Sequence, residues 1–143
     1  MHQLILPSEG GADFEWASDH VRVKTPSDFT AGAITVVEDT LKPGFHLDRH
    51  YHKRMFEIFY ILDGQVAFGF DDQQVLAASG MTVNVPPGVM HAVTSIQGCK
   101  LLTIFSPGGF ERYLHEIVAL SAIQLDDQTL MKSLGEKYDI WQS

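Results

Sequence analysis

The chain has 143 residues, 45% of them hydrophobic and 20% charged, enough for one domain with a core and too few for two. Ten Lys and Arg stand against 18 Asp and Glu, a formal net charge of −8, and such a surface repels phosphate backbones and anionic membranes, so neither nucleic acid nor lipid is an expected partner. Cys99 is the single cysteine, no apolar run approaches the roughly 18 residues of a membrane span, and the amino terminus lacks a basic region followed by a long apolar one, so a cytoplasmic, untargeted protein is expected.

Leu4, Ile5 and Leu6 precede a break at Gly10-Gly11. This arm reads as an edge strand or as a segment packed on a neighbouring subunit, because Phe14 and Trp16 would expose large apolar area if it were free. Residues 20–24 (HVRVK) alternate and predict a short strand, and residues 33–41 (AITVVEDTL) predict a stronger one, rich in β-branched side chains. Lys42-Pro43-Gly44 is a turn. Asp63-Gly64, between strands at 56–62 and 65–70, carries the signature of a hairpin, and Asp71-Asp72 turns the chain again toward 75–78. Short strands follow at 81–85, 92–96 and 101–105.

Turn signals every 8 to 12 residues or so predict an antiparallel sandwich or barrel, spanning about 20–106. After Ser106-Pro107-Gly108-Gly109 the pattern changes. Phe110, Tyr113, Leu114, Ile117 and Leu120 recur at helical intervals, and Asp126 or Asp127 is placed to cap a second helix carrying Leu130, Met131, Leu134 and Tyr138. Gly135 sits inside that helix at a cost of about 1 kcal/mol. The segment from about 107 to 143 is expected to flank the barrel within one domain.

The stretch from 44 to 64 (GFHLDRHYHKRMFEIFYILDG) organises the rest. His50 and His52 alternate and so share a strand face, Glu57 belongs to the next strand, and His91 follows the turn Pro86-Pro87-Gly88. Three imidazoles and a carboxylate suit one divalent transition metal: Fe, Mn, Co, Ni, Cu or Zn. They fill four positions of an octahedron and leave about two for water, dioxygen or substrate. A lone His-X-His is more often a surface pair, and it is the addition of Glu57 and His91 that makes a site. His2, His20, His46 and His115 gain no such support. His46 shares parity with His50 beside a glycine turn, and His115 reads as a surface partner of Glu111. Cys99 reads as a packed small residue, and Phe56, Phe59, Tyr60, Phe68 and Phe70 as core aromatics, some of which face an apolar ligand pocket.

Gly44, His50, His52, Glu57 and Gly64 match the first motif of the cupin superfamily in spacing, and Gly80, Pro86, Gly88 and His91 match the second. Ser95 stands where that family commonly has Asn. The resemblance implies a double-stranded β-helix, or jelly roll, an all-β barrel followed here by two C-terminal helices and usually dimeric. It puts metal ligands at His50, His52, Glu57 and His91. The glycines are expected at turns of unusual φ that set the strand register. The ending SPGGFERYLHE also resembles small quercetin dioxygenase-like cupins. That likeness implies an oxygen-dependent enzyme for a small aromatic or enolic substrate, with Glu57 a ligand or, if it detaches, the base that removes a hydroxyl proton. A metal-fixed, non-catalytic ligand-binding module is the second reading, and a metal-dependent isomerase or decarboxylase the third.

Overall fold

Side-chain alternation decides which way each strand buries. The computed structural model describes residues 3–142, so His2 lies outside the described residues. Among these, the strands are β1 Asp13–Trp16, β2 Asp19–Thr25, β3 Thr35–Leu41, β4 Phe45–Tyr51, β5 Phe56–Gly69, β6 Gln74–Ala78, β7 Thr82–Val85, β8 His91–Ser95, β9 Cys99–Ser106 and β10 Trp141–Gln142. The helices are α1 Phe110–Val118, α2 Ala122–Leu125 and α3 Gln128–Lys137. Odd-numbered residues of β3 and β9 bury and even-numbered ones do so far less, as the period of two requires.

All pairings are antiparallel. One sheet runs β1-β2-β3-β9-β5-β7 and the other β6-β5-β8-β4-β10, so β5 belongs to both. The sheets curl around a core that includes Phe45, Phe59, Ile61, Val66, Phe68 and Leu101. This is the jelly-roll barrel that the sequence predicts. A second apolar cluster, with Phe14, Val37, Met55, Phe105 and Leu114, seats α1 on the barrel's end.

Asp63-Gly64 does not form a hairpin. β5 runs through it for 14 residues, pairing first with β9 and then with β6 and β8. A bulge between Ile61 and Asp63 and the positive φ of Gly64 (83°) bend the strand from one sheet into the other. A Cβ at Gly64 would sit 2.6 Å from the Gly98 carbonyl oxygen, so the glycine serves close strand approach at a bend. The reversal comes later, where the Phe70 N–H donates to the Gln73 carbonyl at 2.8 Å. Gly44, Gly80 and Gly88 also adopt positive φ.

Two further expectations change with parity. Glu57 and Phe59 of β5 face inward, so Phe56 and Tyr60 face outward and are 52% and 40% exposed rather than core aromatics. Phe59 and Phe68 are buried and Phe70 is half-buried. Glu111 is not a surface partner of His115. Its carboxylate is buried and accepts from the Ser27 N–H at 2.8 Å and the Thr35 hydroxyl at 2.7 Å, while His115 packs edge-on against Phe14.

The C-terminal segment holds three helices rather than two, because Ser121 and Gln124 form a capping box that starts the one-turn α2. Asp127 caps α3, accepting from the Leu130 N–H at 3.1 Å. The segment then ends in β10, which returns to the barrel beside β4. The arm at 3–12 is not a strand, and the Lys24 ammonium donates to the carbonyls of Pro7, Ser8 and Gly10. No helix of the described residues is long and apolar enough to cross a membrane.

Candidate metal centre

β4 carries His50 and delivers His52 one residue past its end. A bulge between Leu47 and His50 shifts the inward parity from Phe45 to the even positions. That shift buries His50 and His52 and turns His46 outward, where it meets Thr94 and Asp48. His50 pairs directly with His91 at the start of β8, and their ring centroids are 4.2 Å apart. Glu57 enters from β5, between Val85 of β7 and Phe105 of β9. The structure thus brings together all four residues that the sequence nominates. They are 6%, 3%, 5% and 0% exposed for His50, His52, Glu57 and His91, and one donor atom of each lies within 4.8 Å of the others. That spread is close to the ~4.2 Å between opposite donors of one ion at about 2.1 Å.

The hydrogen bonds fix which nitrogen each ring presents. The Nδ1 of His50 donates to the Asp48 carbonyl at 2.9 Å, that of His91 to the Val89 carbonyl at 3.0 Å, and that of His52 to the Asp139 carbonyl at 2.7 Å. With every Nδ1 so engaged, all three Nε2 atoms are left for the centre. Nε2 of His52 is shielded from solvent and has no hydrogen-bond partner. The Glu57 carboxylate lies 3.5 Å away without hydrogen-bond geometry, and a cation between the two would meet both. The donor set therefore fits a single divalent metal.

Charge agrees with this arrangement. Burial first, then the neighbouring His91, pushes His50 down to about 4, so it offers a neutral lone pair. Burial also pulls His52 down, but the Glu57 carboxylate 3.5 Å away outweighs it and the net shift is upward. For Glu57, burial favours the neutral acid, yet His52 and His91 together hold it well below the usual carboxylate range. His91 Nε2 lies 3.2 Å from Glu57 Oε1. Without metal, Glu57 is thus an anion and His52 tends toward the cation, a pair whose proton a metal ion displaces.

Asp139 is the residue that sequence reasoning missed. It sits in the left-handed region (φ 64°), which Asp tolerates better than most side chains. Its carboxylate accepts from the backbone N–H groups of Lys53, Arg54 and Met55 at 2.7, 2.9 and 2.9 Å and from the Trp141 indole at 3.0 Å. Lys53 covers the Trp141 ring at 3.5 Å. The loop after His52 is therefore moulded around a C-terminal turn far away in the chain. The one available signal was Trp141 after an Asp, and it has no periodic context. Ser95, the departure from the family's Asn, is buried and donates to the Gln65 carbonyl at 2.8 Å, joining β8 to β5 away from the metal donors.

The family model of the cupin domain matches residues 37–105. Residues 37–105 are a cupin domain. Quercetin 2,3-dioxygenase of Bacillus subtilis is 28% identical over 89 residues, which is 62% of this chain and 26% of that protein. The match thus spans about a quarter of that relative's length. Among solved structures, KdgF from Halomonas aligns with a TM-score of 0.68 at 14% identity, over 76% of this chain and 99% of its own. An RmlC-like cupin from Shewanella frigidimarina aligns with a TM-score of 0.66 at 18% identity, over 78% and 96%. The Streptomyces nucleoside dehydratase Pac13 aligns with a TM-score of 0.64 at 18% identity, over 78% and 88%. At such identities these likenesses speak for the cupin fold alone, which carries varied chemistries.

Proposed function

We propose that this cupin binds one divalent transition metal through His50, His52, Glu57 and His91, and acts on a small enolic or aromatic substrate as a dioxygenase-like oxidoreductase. The observation that carries the metal reading is the engagement of all three Nδ1 atoms by backbone carbonyls, with the His52 Nε2 orphaned among the donors. The distant likeness to quercetin 2,3-dioxygenase supports the oxygen chemistry. Iron, manganese, cobalt, nickel, copper and zinc all suit the ligand set.

Held by these four residues, the ion would supply Lewis-acid activation of substrate oxygens and of dioxygen. The protein's part is to orient and exclude water. Glu57 is held ionised between His52 and His91, so it acts as an anionic ligand, or as the base for an acidic substrate hydroxyl once it turns away. The cavity that Glu57 lines measures about 80 Å³, far below the roughly 300–1,000 Å³ of sites for drug-sized ligands. That size favours small enols over flavonols. The test is oxygen uptake with simple enols and flavonols after reconstitution with Fe, Mn, Co or Ni. Metal-dependent uptake with enols supports the reading, and zero uptake across the panel retires it.

A second reading is a metal-fixed module that binds a small molecule without turning it over. Chelation lowers the melting temperature under both readings, but only under the second does a tight small-molecule ligand coexist with no turnover. We also propose the dimer that is usual in the family. Phe56 and Tyr60 stand outward on β5, with Ile34 and Met81 also exposed. A second copy would cover them, and Phe56→Glu would then shift the chain to a monomer by light scattering.

A further inference from the structure

The cavity beside Glu57 has two kinds of wall. Phe45, Phe59, Phe105 and Phe110 are among its apolar lining. Its polar lining is Asp19, Asp39, Thr103 and Glu57, one residue each from β2, β3, β9 and β5, which are successive neighbours in the sheet. Inward parity puts them there: Asp39 and Thr103 fall on the odd positions that bury in β3 and β9, and Glu57 shares the inner face with Phe59. A row of polar side chains crossing the inside of a barrel opposes core packing, so it calls for another explanation.

The acids of the row are held by each other and by Thr103, with no cation among their partners. The Thr103 hydroxyl donates to Asp39 Oδ2 at 2.6 Å, and Asp39 is only 7% exposed. Asp19 Oδ1 is shut off from solvent and receives no N–H or hydroxyl, and the Asp19 and Asp39 carboxyls hydrogen-bond each other, which takes a proton held between them. Among the described residues, no Lys, Arg or His forms an ion pair with either carboxyl. Glu15 acts on Asp19, and Glu57 and Glu38 on Asp39, each as a like charge that disfavours ionisation. Burial first, and for Asp19 the charge of Asp39 next, raises both carboxyls above their ordinary range, while Asp19 and Thr103 draw Asp39 partly back.

Such a wall meets a neutral oxygen well and an anion badly. A protonated carboxyl donates to a carbonyl, and an ionised one accepts from a hydroxyl, but a ligand carboxylate would face acids with no cation on that side. At about 80 Å³ the space is small beside the roughly 300–1,000 Å³ of sites for drug-sized ligands, so it suits a small ligand. Resting on the metal reading above, we propose that the centre takes a ligand of few heavy atoms whose end remote from the metal is an uncharged hydroxyl or carbonyl, selected by the Asp19–Asp39–Thr103 wall.

The test uses the full chain loaded with Co(II), with cobalt content measured on the same samples. Glycerate and tartronate both offer an α-hydroxycarboxylate to a metal and differ beyond it, one ending in hydroxymethyl and the other in carboxylate. Asp39→Asn, which keeps the shape and can carry no negative charge, tightens tartronate by about tenfold or more and leaves glycerate within about threefold by calorimetry. Asp19→Asn shifts tartronate the same way by about threefold or more, and carries the test if the first variant does not fold. Tartronate binding unchanged within about twofold in the folded variants overturns the proposal. So does failure of glycerate to bind while cobalt is held. Failure of the wild type to hold cobalt overturns the metal reading instead.

Discussion

Three histidines reach the same point in this barrel, yet two are anchored at home and one from afar. His50 and His91 each donate to the carbonyl two residues earlier, Asp48 and Val89, so their rings are aimed by the strand ends that carry them. His52 donates instead to Asp139, 87 residues away, in a turn between α3 and β10. The local anchors come with the cupin strands. The remote one makes the C-terminus part of the metal centre, because Asp139 also caps the backbone of residues 53–55 that follow His52. By reciprocity, whatever loosens the C-terminal turn weakens the metal, and metal tightens the turn.

The contrast can be broken in steps. The largest effect is expected from the ligands themselves: His91→Ala or Glu57→Gln lowers metal affinity by more than roughly 100-fold, beyond what outer partners contribute. Competition with a chromophoric chelator measures it. Next comes Asp139→Ala. It strips three backbone N–H groups and an indole of their acceptor, and the expected outcome is a loss of about 10–100-fold in metal affinity with lowered thermal stability. Asp139→Asn, which keeps the left-handed turn and one carbonyl acceptor, restores part of the affinity. If Asp139→Ala matches wild type in affinity while melting earlier, the turn is structural only and the remote anchor does not aim His52.

A smaller effect is set by pH. His52 is raised above the ordinary value of 6.5 by Glu57, so in metal-free protein it holds its proton through that pH, and the incoming ion must displace it. Metal affinity therefore falls as pH drops below the raised value of His52, about tenfold per unit for one proton, and levels off above it. His50, pushed down to about 4, contributes no proton until far more acid conditions. Proton release during calorimetric titrations in two buffers reads this directly, and a slope near zero at neutral pH contradicts it. The smallest effect belongs to His46, which points outward to Asp48 and Thr94: His46→Ala leaves metal affinity within about twofold.

The four donors were legible because strand periodicity and motif spacing are local properties. His50 and His52 alternate, and glycine and proline punctuate the turns around them. The bulge in β4 was not legible, and it alone explains why His46 faces out despite sharing His50's parity. Asp63-Gly64 misled for a related reason. The dipeptide states that the chain bends there, while pairing with β9 decides that it continues. Glu111, Asp139 and the Asp19–Asp39 pair escaped because each is defined by partners 20 or more residues away, and a lone acid on a helix, turn or strand end looks like solvated surface. Long-range hydrogen bonding of acids is the part of this site that periodicity does not encode.

Crystals grown with Mn(II) and measured with anomalous scattering should show a single peak per chain, contacted by the Nε2 atoms of His50, His52 and His91 and by a carboxylate oxygen of Glu57, with each Nδ1 still on its backbone carbonyl. No peak there, or a peak that His52 or Glu57 does not contact, contradicts the account.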